Sequence, residues 1–265
     1  MQITTVRGVI DRRVLVNFRV DPAVLATLLP SPFRPKLAGG TGMAGVCLIR
    51  LKQIRPDGLP SCLGVSSENA AHRIAVEWDV DGATQEGVFI SRRDTSSRLN
   101  AVVGGRLFPG VHHHAVFRVQ EHDDRYRIEL SSDDHRMRLL VEGRAAAQFP
   151  PGSVFGSLRE ASDFFERGSL GYSLTSTPGQ FEGLELRSVD WRVRSFAIDK
   201  LESSFFESRS LFPAGAVEFD SSLLMQGINH EWRARKKLCC PEDVDRRLVR
   251  PCGAGRPDPM NLRCD

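Results

Sequence analysis

Hairpin-length runs of β-branched and aromatic residues, cut by Gly, Pro and Asp turns, recur along most of the chain and limit what it can fold into. Val9–Val20 (VIDRRVLVNFRV) lies between Gly8 and Asp21-Pro22 and reads as one long strand. Gly42–Ile54 reads as another, closed by the turn Arg55-Pro56-Asp57-Gly58. His72–Val80 and Gly87–Ser91 flank Asp81-Gly82, a strong hairpin signal. Val111–Gln120 and Tyr126–Ser131 flank a second turn around His122-Asp123-Asp124. Met137–Glu142, Gly171–Thr175, Leu184–Phe196, Ala216–Met225 and Ile228–Arg235 complete the strands. Strands that outnumber helices at these spacings predict an α+β domain, mostly antiparallel, whose sheet closes or nearly closes into a β-barrel.

A few short helices interrupt the pattern. Asp21 reads as an N-cap with Pro22 at the first helical position, and Pro30 ends the helix. Ser157-Leu158-Arg159-Glu160 is a capping box, and Gly168 closes the helix that it opens. Asp94 is expected to cap a helix running toward Arg106, beside a surface pair Arg92-Arg93, and Ala197–Ser208 is expected to be helical. After Lys237 the chain gains proline and loses large apolar groups. The expectation is one domain over 1–237 and a flexible tail over 238–265.

Composition narrows the partners. The chain has 36 basic and 33 acidic side chains, a net charge of +3, which lacks the excess of a nucleic-acid-binding face. No apolar run reaches the roughly 18 residues of a membrane helix. The segment Met1–Val14 carries Arg7, Arg12 and Arg13 and no h-region, so a cytoplasmic protein without a secretory signal is expected. A core of this length needs no disulfide or metal staple. Of six cysteines, Cys239, Cys240, Cys252 and Cys264 fall in the tail with no zinc-like spacing and are expected to be reduced thiols; Cys47 reads as a small core residue.

The order of landmarks resembles a family. Leu28-Leu29-Pro30 with Pro35, the segment Met43–Gly58, Arg73 within its strand, Gly87-Val88-Phe89-Ile90-Ser91 before Asp94, Gly104-Gly105-Arg106-Leu107-Phe108, Phe164-Phe165-Glu166-Arg167 and the Trp191 strand are similar to the YqjF-like proteins over roughly residues 5–235. These form the domain of unknown function 2071, in the acetoacetate decarboxylase-like superfamily. The resemblance implies a cone-shaped antiparallel barrel with helices packed outside and a small-molecule cavity. It also implies a Schiff-base lysine after a Gly-x-Arg segment, yet His112 and His113 stand near those positions. The lysines are Lys36, Lys52, Lys200, Lys236 and Lys237, none of them in that segment. An imidazole cannot form an imine with a ketone, so decarboxylation through that route is not expected here.

The candidate catalytic residues are His112 and His114. Strand alternation puts them on one face, about 7 Å apart at roughly 3.3 Å per residue, with His113 on the other face among Ala115, Phe117 and Val119. Candidate substrate-binding residues are Glu68, where the superfamily carries a cavity glutamate, and Arg73 and Arg106, which suit an anionic group. The leading reading is a small-molecule barrel with histidine acid–base chemistry on a small anionic or carbonyl compound, with no cofactor. A non-catalytic binding protein is the alternative, and a metal enzyme using His112 and His114 with Glu68 or His72 is a third. Whether the chain is an enzyme, and its oligomeric state, stay open at this stage.

Overall fold

A computed structural model describes residues 5–103, 110–175, 177, 179–188, 190–239 and 250–251. The elements run β1 (Thr5–Val20), α1 (Pro22–Leu28), β2 (Arg34–Pro35), β3 (Leu37–Ala38), β4 (Thr41–Pro56), β5 (Val65–Val80) and β6 (Ala83–Thr95). They continue with α2 (Arg98–Val103), β7 (His112–His122), β8 (Arg125–Ser132), β9 (Arg138–Ala146), α3 (Leu158–Arg167), β10 (Leu170–Leu174) and β11 (Gln180–Ser188). The last are β12 (Arg194–Ser203), β13 (Val217–Cys239) and β14 (Arg250–Pro251).

Local chemistry accounts for the turns and caps. Asp81 and Gly82 both take positive φ (51° and 80°), the geometry a two-residue hairpin requires. Asp123 and Asp124 do the same at φ 48° and 61°, a region that Asp tolerates better than most residues. Asp21 caps α1 by accepting from the Ala23 N–H. Ser157 caps α3 by accepting from the Glu160 N–H, while the Glu160 carboxylate reaches back to the Gly156 N–H.

Pairing runs β6–β7–β8–β9–β12–β13–β1–β4–β5 and returns to β6, so the sheet closes on itself. Among the described strands, only the β6–β7 and β6–β10 pairs are parallel. A second ring shares five of those strands and closes through β10 and β11, because β11 pairs with β13 as well. Side chains therefore bury on both faces of the shared strands. Val14, Val16, Val46, Leu48, Ile128 and Val141 belong to the core of the larger ring. Leu15, Cys47, Ile49, Phe164, Phe165 and Met225 form a separate core where α3 packs. Alternation along β1 and β4 sends successive residues to opposite cores.

Several local expectations are corrected. Asp94 is not a helix cap: it lies buried within β6 and accepts from Arg92, and the following helix begins at Arg98. Ala197–Ser208 is not a helix. Its first half continues β12, which fills the position between β9 and β13 and so overrides the helix propensity of that stretch. Leu184–Phe196 is not one strand, since β11 ends at Ser188 and β12 starts at Arg194. The body also does not stop at Lys237. Leu238 and Cys239 extend β13, both are buried, and they pair with β11 and β14. Cys239 is disulfide-bonded, contrary to a set of reduced thiols, whereas Cys47 and Cys62 are free. Apart from β14, the rest of the expected tail lies outside the described residues, as does Arg106. No described helix is long and apolar enough to cross a membrane.

Candidate functional site

A cavity of about 130 Å³ opens on the α3 side of the shared strands. Its floor comes from one face of three neighbouring strands: Arg13 on β1, Cys47 and Ile49 on β4, and Asn69 and Arg73 on β5. Val88, Ile90 and Arg93 on β6 form one side, and His112 stands at the start of β7. Phe165, Leu184, Trp191 and Trp232 provide apolar walls. The volume is comparable to the engineered cavity of roughly 150 Å³ that admits benzene, so a compound of about six heavy atoms fits.

Register decides which arginines arrive there. Opposite Arg73 stands Gly45, and opposite Gly45 stands Asn17. With no side chain between them, Arg73 Nη2 donates to Asn17 Oδ1 at 2.6 Å. A Cβ on Gly45 would meet the Val16 carbonyl oxygen at 2.3 Å, so this gap belongs to glycine. The Arg73 guanidinium lies 4.8 Å from the Phe165 ring centre, and its Nε has no hydrogen-bond partner. On β6 a bulge places Ser91 as an extra residue: His72 pairs with Arg92, but Arg73 pairs with Ile90. The bulge turns Arg93 into the cavity, where its Nε donates to Ser173 Oγ at 3.2 Å. Arg92 goes the other way, to Asp94 and Asp134, so the expected surface pair Arg92-Arg93 is split between a buried ion pair and the cavity.

Arg13 completes the set. Its Nε lies 3.1 Å from Cys47 Sγ, and its guanidinium carbon lies 5.6 Å from the Trp191 ring centre. Among the described residues, none of Arg13, Arg73 and Arg93 has a carboxylate within ion-pair distance; the charged network nearby uses other arginines. Burial lowers the pKa of Arg73 and of Arg93 to about 10, which still leaves both protonated at neutral pH. Asp94, also at the wall, has its pKa raised by burial against the opposing pull of Arg92.

The expected site residues separate. Arg73 and His112 line the cavity. His112 Nδ1 lies 3.2 Å from the Gly110 carbonyl oxygen, to which it donates, leaving Nε2 as the ring acceptor. Burial, with Arg93 beside it, lowers the His112 pKa to about 3, so the ring is neutral at physiological pH. His114 is not gathered with His112; its Nδ1 meets Asp133 at 2.8 Å. His113 meets Asp134 at 3.3 Å rather than serving only as packing. Glu68 is drawn into an ion-pair network with Arg12, Arg50 and, through them, Glu121, away from the cavity. His72 is buried in the other core against Phe205 and Phe206. Among the described residues no three His, Cys, Asp or Glu side chains gather as a metal site.

Among the described residues, no lysine lines the cavity. Lys36 pairs with Glu86, Lys52 with Asp11, Lys200 with Glu202 and Lys237 with Glu182, and Lys236 is exposed. Sequence reasoning missed Arg13, Arg93 and Cys47. Alternation could have grouped Arg13 with Leu15, but no sequence signal marks the β6 bulge that brings Arg93 round.

Comparison with known proteins places this geometry on a recognised scaffold. A model of the DUF2071 family, described as an uncharacterized conserved protein, matches residues 10–216. The fold is similar to that of an acetoacetate decarboxylase from Legionella pneumophila, at 11% identity and a TM-score of 0.59, covering 88% of this chain and 87% of that one. It is similar to an acetoacetate decarboxylase-like enzyme from Sphingomonas wittichii RW1, at 14% identity and a TM-score of 0.54, covering 88% and 91%. It is also similar to the enduracididine biosynthesis enzyme MppR complexed with pyruvate, at 12% identity and a TM-score of 0.52, covering 89% and 90%. No curated protein matches the sequence.

Proposed function

For a chain that belongs to the DUF2071 family, on the acetoacetate decarboxylase-like fold, we propose that the cavity binds a small carboxylate-bearing compound of the 2-oxo acid class. The observation that carries this reading is the convergence of Arg13, Arg73 and Arg93 on one small cavity with no carboxylate pairing any of them among the described residues. Buried positive charge without a partner is costly, and an anionic ligand removes that cost. Guanidinium groups also offer the forked donors that a carboxylate accepts. The apolar walls leave room for a short carbon chain, and a fold neighbour has been captured with pyruvate, a compound of this class and size.

Within this reading the chemistry does not pass through an imine, because the cavity offers no amine. His112 stands at the cavity as a neutral ring whose Nδ1 donates to the Gly110 carbonyl, and a pKa lowered to about 3 makes it a poor proton acceptor at neutral pH, so in this reading it shapes and polarises the ligand's surroundings. Of the original histidine pair, His112 reaches the cavity and His114 does not. A protein that binds without turnover would use the same cavity, and His112→Gln with retained binding and lost turnover would distinguish the two.

The test is calorimetric titration with pyruvate. Binding is expected in the unmodified protein, and a loss of at least tenfold in Arg73→Met and in Arg93→Met. Affinity should also fall as pH rises through about 10, where these two guanidinium groups lose their protons. Equal affinity for pyruvate and for its neutral methyl ester would sink the proposal.

A further inference from the structure

We infer that Cys47 is a nucleophile of this cavity, directed at an electrophilic carbon next to the carboxylate that the arginines hold. The inference rests on the anion-binding reading above and goes beyond it to a covalent step. Cys47 is a free thiol on the cavity floor and only 6% exposed, so any reagent that reaches it comes through the cavity. It pairs with Leu15 and Ala71, while Arg13 pairs with Ile49 and Arg73 with Gly45. Both arginines are thus diagonal neighbours of Cys47 on the same sheet face.

Two observations point to a ligand beside the sulfur. Arg13 Nε is 3.1 Å from Cys47 Sγ, so a cationic donor faces the charge that sulfur carries as it attacks. Arg73 is 7% exposed and lines the same cavity, and its Nε has no hydrogen-bond partner. A carboxylate that engages Arg73 sits one diagonal step from the sulfur, which brings its neighbouring carbon to the thiol. With a 2-oxo acid the step is addition. The S–C bond forms at the keto carbon as the C=O π pair moves to oxygen, and the thiol proton ends on that oxygen. The product is a thiohemiketal, and no oxidant or leaving group is required.

Alkylation tests the geometry with simple probes. Iodoacetate carries a carboxylate beside an electrophilic methylene; sulfur displaces iodide and the thiol proton passes to buffer. Iodoacetamide is its neutral counterpart, and the exposed thiol of Cys62 is the reference within the same molecule. Peptide mapping by mass spectrometry should show Cys47 at least tenfold favoured over Cys62 by iodoacetate relative to iodoacetamide. Pyruvate should protect Cys47 and not Cys62, and Arg73→Gln should abolish the preference. Calorimetry separates the two readings. If pyruvate binds but Cys47 shows no preference for iodoacetate, the nucleophile is overturned and the anion cavity stands. If pyruvate neither binds nor protects, both fall. Cys47→Ala should bind pyruvate more weakly than the unmodified protein with an unchanged melt, because the thiohemiketal can no longer form; equal affinity would overturn the inference.

Discussion

His72 shows how much a single buried side chain can set. It has no exposed surface, neither ring nitrogen has a hydrogen-bond partner, and the Phe205 ring centre lies 4.7 Å away. Burial lowers its pKa to about 3, with the Arg92 charge acting in the same direction. The unfolded chain protonates this histidine near pH 6.5 and the folded chain does not. Stability is therefore full above about pH 6.5 and falls as pH drops from there toward 3, by roughly 1.4 kcal/mol per pH unit. His72→Leu should flatten that dependence. Urea midpoints at pH 7 and pH 5 would show it, and an unchanged difference between the two pH values would contradict the assignment. Side chains of this kind also mark the limit of reading sites from sequence. Arg73 was legible because it stands at a family landmark, and His112 because a histidine run is rare. Glu68 came from the resemblance alone, which offers a residue type in a region of the chain and not its contacts; here its carboxylate meets Arg12 and Arg50. Cys47 was read as core filler, since burial in an apolar run is what its sequence context specifies.

The elements were more legible than the side chains where turn chemistry is local. The hairpin at Asp81-Gly82, the cap at Asp21 and the boundaries of α3 follow from residues within four positions of each other. Where long-range pairing decides, the sequence was silent: β12 is a strand because β9 needs a partner, and Arg93 faces the cavity because of a bulge against β5. The α3 cap is open to a direct check. Ser157→Ala removes the acceptor for the Glu160 N–H and should cost about 1 kcal/mol of stability. Because Phe165 still packs under Arg73 in the folded state, pyruvate affinity should stay within twofold. A melt unaffected by the change would mean that water replaces the cap at no cost.

At the scale of the molecule, the two rings share strands and divide the labour: one encloses a continuous apolar core, the other leaves a cavity walled by aromatics and floored by arginines. The end of β13 serves both, because Leu238 pairs with Phe181 of β11 and packs in the larger core at 4% exposure. Leu238→Ala should destabilise by about 2–4 kcal/mol, where a dispensable tail beginning at residue 238 would lose almost nothing. Chemical denaturation of that variant distinguishes the two.

The central claim is that Arg13, Arg73 and Arg93 hold a carboxylate in the cavity, and its most direct test is a crystal structure of the protein soaked with pyruvate. The account predicts pyruvate in the cavity, with its carboxylate at hydrogen-bond distance from Arg73 and at least one of Arg13 and Arg93, and its keto carbon toward Cys47. Pyruvate bound elsewhere, or bound in the cavity with its methyl group against the arginines, would contradict it.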